Sequence, residues 1–128
     1  MLLFQYKRER DFKRVQIETS LNNITELTYN YIERKGLEKN GNLSLLDSLY
    51  LYIPNQNIRV TVLDKTGRVL YDSEVKEVIK MENHLHRPEI QKALKEGNGS
   101  NIRESATTGY EYYYYAKSYT DPVSYTHL

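Results

Sequence analysis

The chain has 128 residues, enough for one domain with a modest hydrophobic core. Its 18 Lys and Arg residues nearly balance 17 Asp and Glu residues, and a net charge of +1 argues against a nucleic-acid partner. The sequence contains no cysteine, which excludes disulfides, thiolate nucleophiles and cysteine-based zinc sites.

The N-terminus joins an apolar segment to a charged one. Apolar residues 2–4 are followed by Tyr6 and then by charged residues within 7–11, a pattern typical of the end of a transmembrane helix. We therefore expect residues 1–6 to be the remnant of such a helix and residues 7–120 to form one domain. The basic excess of this flank is more typical of the cytoplasmic side of a membrane.

A long amphipathic helix is predicted from about residue 6 to Gly36. Apolar residues recur at steps of three and four and so share one face. The predicted stripe comprises Ile17, Leu21, Ile24, Leu27, Thr28, Tyr31 and Ile32. A stripe this wide favours packing on a sheet, and a seam between two copies of the helix is the alternative. A shorter helix is expected from Ser44.

Two β-hairpins are predicted in the second half of the chain. Alternating apolar and polar residues predict strands at 58–64 and 68–72, and again at 101–106 and 110–119. The tyrosines at 112–115 place rings on both faces of the last strand. That strand should therefore be covered on both sides.

A short helix is predicted between the hairpins. Pro88 suits the first helical position, Glu89 lies where the helix macrodipole favours an anion, and Gly97 ends the helix. Its buried face is expected to comprise Ile90, Ala93 and Leu94.

These elements carry motifs that resemble a known receptor family. The motifs are D-x-x-G-x-V-L-Y-D-S in the first hairpin, N-H-x-x-R-P-E-I-x-x-A-L at the short helix and R-x-S-x-T-T-G before the last strand. The sequence resembles the extracytoplasmic sensor domains of membrane-bound two-component sensor histidine kinases, and most closely the phosphate-regulon (PhoR-like) group.

The resemblance implies an α+β fold of the PAS-like or Cache (PDC) type, in which the long N-terminal helix packs on a twisted antiparallel sheet. Such sheets have a further strand in the middle, contributed after the strand at 110–119. The tail at 121–128 departs from the family pattern, so we expect this last strand to be missing, although 123–128 has strand-like composition. Without it, the strands at 58–64 and 110–119 would be exposed edges.

The resemblance also implies a function. The domain would be the signal-input part of a receptor in the cell membrane, on the extracytoplasmic side, relaying a stimulus that controls autophosphorylation and phosphotransfer to a response regulator. It would form a homodimer through its N-terminal helix and receive a small molecule or a protein as its signal. This chain is expected to be neither an enzyme nor a cofactor-binding protein, because ATP and Mg²⁺ would belong to the kinase domain of the parent.

The candidate ligand pocket comprises Arg87, Arg103, Tyr112 and Tyr114. Guanidinium groups bind carboxylates and other anions in a forked geometry, and tyrosine supplies an apolar wall and a hydroxyl. The alternative is that the arginines form structural ion pairs with Glu89, Glu104 or Asp72.

The alternative function class is a self-contained small soluble binding protein or a metal-dependent enzyme that uses His84 and His86. Two imidazoles two residues apart on an extended segment would face the same way. No third ligand has matching spacing, and the pair Asn83-His84 is expected instead to bond backbone groups.

Overall fold

The computed structural model describes residues 2–9, 14–37, 43–52, 58–104 and 111–119. Its elements in chain order are β1 (Leu2–Glu9), α1 (Arg14–Lys35), a 3₁₀ turn (Leu43–Leu45), α2 (Leu46–Tyr50), β2 (Arg59–Asp64), β3 (Val69–Asp72), a second 3₁₀ turn (Val78–Lys80), α3 (Pro88–Glu96), β4 (Asn98–Glu104) and β5 (Glu111–Tyr119). The strands form one antiparallel sheet in the order β3-β2-β1-β5-β4.

The N-terminal segment is a strand. The backbone of β1 pairs on both sides, so that Phe4 lies opposite Val62 of β2 and opposite Lys117 of β5. The prediction of one helix from about residue 6 is therefore wrong at its start, because two ladders of hydrogen bonds hold residues 2–9 extended and α1 begins at Arg14. Among the described helices, none combines the length and the apolar character needed to span a bilayer.

β1 fills the middle of the sheet, where we expected a missing strand. As a result β2 and β5 each have neighbours on both sides, and the sheet edges are β3 and β4. The expectation that β2 and β5 would be exposed edges is wrong for this reason. The tail at 121–128, with its strand-like segment 123–128, lies outside the described residues.

Both predicted hairpins and the short helix are present. β2, β3 and β5 lie within one residue of their predicted bounds, whereas β4 begins at Asn98 instead of 101. The early start follows from Gly97, whose φ of 95° lets the chain leave α3 and enter the sheet at once. Its carbonyl accepts a hydrogen bond from the Ser118 N–H at 2.9 Å, which brings the end of α3 to β5.

α1 packs on one face of the sheet. The buried residues of its stripe are Ile17, Leu21, Thr25, Thr28 and Ile32. Ile24, which belongs to the predicted stripe, is partly buried against the cluster that contains Val60. Leu27 is 47% exposed, so the prediction that it belongs to the buried stripe is wrong. Thr25 takes an interior position because its hydroxyl donates to the Leu21 carbonyl at 2.7 Å.

α3 covers the opposite face of the sheet. Its cluster of buried residues comprises Leu63, Val69, Ile90, Ala93 and Ala116, with Leu94 partly buried beside them. The predicted apolar face of α3 is therefore confirmed. β5 is covered by α1 on one side and by α3 on the other, as the run of tyrosines indicates.

Candidate ligand-binding site

The predicted pocket residues lie on the sheet face that α3 covers. Successive side chains of a strand point to opposite faces, and Tyr113 and Tyr115 belong to the core beneath α1. Tyr114 therefore faces α3, where the Arg103 guanidinium lies 3.7 Å from its ring centroid. Tyr112 shares this face by the same alternation.

The first turn of α3 positions two charged residues. Arg87 has an extended conformation (φ −69°, ψ 139°) and precedes Pro88, the first helical residue, as the sequence predicts. Glu89 follows in the first turn, where the helix dipole favours its charge. It is nevertheless completely buried, with 0% exposure.

Arg103 compensates the buried charge of Glu89. Its two terminal nitrogens donate to the two carboxylate oxygens at 2.7 and 2.9 Å, a bidentate pair. Burial disfavours the charge of Arg103, but hydrogen bonds and Coulombic attraction from Glu89 outweigh it and raise the pKa of Arg103. The ion-pair alternative for Arg103 is thus present in the structure, on the face predicted for the pocket.

A second buried carboxylate lies at the end of β3. The Asp72 side chain, with 0% exposure, accepts hydrogen bonds from Arg59 Nε at 3.1 Å and from Thr61 Oγ1 at 2.9 Å. It also accepts from the backbone N–H groups of Glu74 and Val75. Arg59 was not among the predicted pocket residues. It is a polar residue next to Val60 in β2, and because Val60 faces α1, strand alternation places Arg59 on the face that α3 covers.

Three arginines and two carboxylates make up what we call the arginine cluster: Arg59, Arg87 and Arg103 with Asp72 and Glu89. Arg59 pairs with Asp72 and Arg103 pairs with Glu89. The Arg87 guanidinium forms no ion pair or hydrogen bond within the described part of the chain. Burial lowers the pKa of Arg87, while attraction to Glu89 opposes that effect. Arg59 also lies 3.9 Å from Glu74. Arg87 is therefore the arginine of the cluster whose guanidinium has no ion pair among the described residues.

His84 lies beside Arg87. It is 4% exposed, and a turn joins it to Arg87, whose N–H donates to the His84 carbonyl at 3.1 Å. Burial and the charge of Arg87 lower the pKa of His84, which keeps the imidazole neutral near pH 7. Its Nδ1 atom is buried and has no hydrogen-bond partner among the described residues.

A family model described as single Cache-like matches residues 14–124 of the chain. The chain belongs to the single Cache-like family. Domains of this family are sensor domains found in the extracytoplasmic parts of signalling proteins. No curated protein matches the chain, and no solved structure matches it either.

In this Cache-like domain the two histidines do not face the same way. His84 is buried and His86 is exposed, because the segment between them turns instead of running extended. No group of three His, Asp or Glu side chains within the described ranges is arranged to hold a metal. Asn83 bonds backbone groups, as predicted, donating to the Thr66 carbonyl at 2.9 Å and accepting from the Leu85 N–H at 2.8 Å.

On the opposite face, a polar seam joins α1 to β5. Alternate side chains of β5 donate to α1 side chains spaced four residues apart. The pairs are Tyr113 to Glu18, Tyr115 to Asn22, Lys117 to Asn22 and Glu26, and Tyr119 to Glu26. Tyr29 and Tyr119 also stack, with ring centroids 3.9 Å apart. This seam could not be predicted from the apolar stripe of α1, because its α1 residues are polar.

A cavity of about 740 Å³ lies at the β3 edge of the sheet. Its lining includes Leu43, Asp47, Leu70, Tyr71, Glu74 and Val78. The exposed acids Asp47 and Glu74 stand on its walls, and Tyr71 donates to Asp47 at 2.5 Å. None of the four predicted pocket residues lines it.

Proposed function

We propose that this single Cache-like domain is the extracytoplasmic signal-input domain of a membrane-bound sensor histidine kinase of the phosphate-regulon type. The family match supports the sensor role. The motifs shared with that group support the finer assignment, because each has a local task here. Asp64 accepts hydrogen bonds from the Thr66 and Arg68 N–H groups and closes the first hairpin. The parent kinase would use ATP and Mg²⁺ to phosphorylate its own histidine and then a response regulator.

The ligand of this sensor is a small anion bound at the arginine cluster. The observation that carries this assignment is Arg87, a half-buried cation without an ion pair in the described structure, beside Arg103 and Tyr114. A guanidinium in that position is available to a carboxylate or phosphate. Arg103 takes part by exchanging some of its contact with Glu89 for contact with the ligand.

The signal leaves the domain through α1 and its twin in a homodimer. The stripe of α1 facing solvent comprises Gln16, Thr19, Asn23, Leu27, Asn30 and Arg34. These positions follow the spacing of a helix–helix seam, but Leu27 is the one large apolar residue among them. Two copies of the isolated domain therefore associate weakly through this stripe, and dimerisation depends on the membrane anchors of the parent.

A reporter assay in the receptor that contains this domain tests the proposal. Arg87→Ala should abolish the response to the anion, because no other described cation of the cluster lacks a carboxylate. Arg68→Ala is the matched control, since Arg68 pairs with Asp64 on the exposed hairpin turn. An unchanged response in Arg87→Ala, Arg103→Ala and Tyr114→Phe would contradict the pocket and leave a protein partner or the membrane as the stimulus.

The isolated chain should neither hydrolyse ATP nor phosphorylate itself, because its sequence has no phosphate-binding loop or catalytic lysine of the P-loop and protein-kinase types and no phosphoacceptor-histidine context. Incubation with labelled ATP is the direct measurement. Incorporation of label into the purified chain would contradict its assignment as an input domain.

A further inference from the structure

We propose that the free edge of β4 is a docking site for an extended segment of a partner protein, which joins the five-stranded sheet as a further strand. The segment alternates apolar side chains with acidic ones. Binding there does not require the anion proposed for the arginine cluster.

The backbone of β4 has hydrogen-bonding groups that the sheet leaves open. The Ser118 N–H donates to the Gly97 carbonyl at 2.9 Å, and the register with β5 then runs without a shift along all seven residues of β4. Groups that point towards and away from a neighbour alternate along an antiparallel strand, so every second residue of β4 turns its N–H and C=O groups away from β5. These residues are Asn98, Ser100, Ile102 and Glu104. No other described residue bonds to these groups.

The two edges of the sheet differ in how well they are protected. Natural proteins block edge strands by short length, bulges, prolines or charged side chains, because an open edge is a template for pairing with another strand. β3 has only four residues, and its pairing with β2 contains a register shift. β4 has seven residues, and its stretch from Asn98 to Ile102 contains no proline, register shift or charged side chain. β4 is therefore the edge that can accept a further strand.

A cleft leaves room beside this edge. Its volume is about 340 Å³, and residues 98–100 of β4 line it. Lys92 of α3 and Glu18 of α1 line it as well. Further along β4, Ile102 is 40% exposed and lies on the α1 side, because it is opposite Tyr113. An added strand thus meets a lysine on the α3 side and an apolar residue on the α1 side.

These surroundings define the chemistry of the segment. Residues directly opposite each other in adjacent strands share one face of the sheet. The segment residue opposite Ile102 therefore faces α1 and is apolar, since an acid on that side would approach Glu18. The segment residue opposite Gly99 faces α3, where Lys92 lies against Gly99 and attracts a carboxylate. Apolar and acidic residues thus alternate along the bound segment.

A second copy of the chain does not suit this edge. Two copies of β4 would pair antiparallel about a two-fold axis perpendicular to the sheet. The α1 helices of the two copies would then point in opposite directions. Twin α1 helices in the proposed receptor start from the same membrane and run in the same direction, so the occupant is a different protein.

Fluorescence anisotropy of labelled heptapeptides with the 128-residue chain tests strand addition. The probe alternates valine and glutamate, with valine at both ends, and the same peptide with lysine in place of glutamate is the charge-reversed control. We expect the glutamate peptide to bind about fivefold more tightly. Methylation of the valine backbone nitrogens removes the N–H groups that face β4 and should weaken binding about tenfold or more. Methylation of the glutamate nitrogens, which face away from β4, should leave binding nearly unchanged.

Three variants of the chain complete the test. Ser100→Pro removes an N–H that points to the peptide and none that bonds to β5, a position where an edge strand accepts proline. It should abolish binding and leave the far-UV circular dichroism spectrum unchanged. Lys92→Glu should reverse the preference between the two peptides. Lys95→Glu is the matched control, because Lys95 belongs to the same helix but does not line the cleft, and it should keep the preference.

The methylated peptides bind the unmutated chain, so their result does not depend on how Ser100→Pro folds. Equal affinity of the two methylated peptides would overturn strand addition. The docking site itself would be refuted if neither unmethylated peptide bound at about 1 mM. A dimer of the free chain that Ser100→Pro dissociates would show that a second copy occupies this edge, which contradicts the assignment of a different protein.

Discussion

Truncation of Arg103 tests how the domain tolerates the buried carboxylate of Glu89. Glu89 is 0% exposed and forms a bidentate pair with Arg103, whose side chain is 32% exposed. Removing one partner of a buried ion pair costs about 3–5 kcal/mol, because the other charge stays buried without compensation. We expect Arg103→Ala to lower the free energy of unfolding by about 3 kcal/mol, near the lower limit, since water enters the space left by Arg103 and Arg87 is close. Loss of the contact with Tyr114 is part of this change.

Urea unfolding of the 128-residue chain measures this free energy directly. Glu89→Gln in the Arg103→Ala background should recover part of the loss, because the amide carries no buried charge that Arg103 would stabilise. Arg68→Ala is the control: its pair with Asp64 is 75% exposed on the arginine side and should change stability by at most about 0.5 kcal/mol. A loss below about 1 kcal/mol for Arg103→Ala would refute the reasoning, since it would mean that Glu89 does not depend on Arg103.

Three further predictions use the same unfolding assay. Gly99→Ala should destabilise by about 1–3 kcal/mol, because a Cβ there would lie 2.5 Å from a backbone oxygen of α3. Gly97→Ala has open space around it and should cost only the strain of its positive φ, about 1 kcal/mol; equal losses at the two glycines would contradict the close approach. Burial lowers the pKa of His84 in the folded chain, so the unfolded chain takes up a proton on this residue at a higher pH than the folded chain does. The free energy of unfolding should therefore be largest above about pH 6.5 and decrease as the pH falls below it. His84→Gln should flatten that dependence, and an unchanged slope would show that other groups cause it. The hydrogen bond from Lys117 lowers the pKa of Glu26 from 4.5, so this pair stabilises the fold above that pH and its contribution disappears as the pH falls through the lowered value. Because Glu26 is 41% exposed, Glu26→Gln should cost at most about 1 kcal/mol at neutral pH, and a larger loss would mean that the seam is less accessible to solvent than described.

The burial of Glu89 and its pairing with Arg103 could not be predicted from the sequence. The pattern places Glu89 at a helix N-terminus, where a carboxylate is normally solvated. Its burial arises because β4 follows α3 without a loop and brings Arg103 over the first turn of the helix. A pair formed across two elements depends on their packing, and neither residue signals it alone.

The hairpins and α3 were predicted from the sequence, because the alternation of polar and apolar residues, Pro88 at a helix start and Gly97 at a helix end each determine the conformation of nearby residues. The segment 2–9 was assigned wrongly, since a short apolar stretch followed by charges suits a membrane-helix end as well as a strand. The predicted buried stripe of α1 included Leu27 and left out Thr25, whereas in the structure Thr25 is buried and Leu27 is exposed. Hydropathy ranks leucine above threonine for burial, but a threonine that bonds to its own helix backbone is readily buried.

The placement of the candidate residues was predicted in part, whereas their role in binding a ligand stays a prediction. Arg87, Arg103 and Tyr114 come together on one sheet face, and the motif with its strand alternation was enough to place them there. The positions of Arg59 and His84 near these residues were not predicted. Both depend on how the connector after β3 crosses this face, which joins residues far apart in sequence through hydrogen bonds such as that from the His84 N–H to the Gly67 carbonyl.

In the proposed mechanism, β5 contacts the ligand site on one face and the signalling helix α1 on the other. Tyr114 lies beneath Arg103, while its neighbours Tyr113 and Tyr115 bond to α1. These three side chains share one continuous backbone held between β1 and β4, so a displacement of Tyr114 moves the anchors of α1 with it. In the proposed mechanism an anion at Arg87 draws Arg103 away from Glu89 and releases its contact with Tyr114. The resulting shift of β5 reaches α1 through the polar seam, whose hydrogen bonds rearrange at lower cost than interlocked apolar side chains.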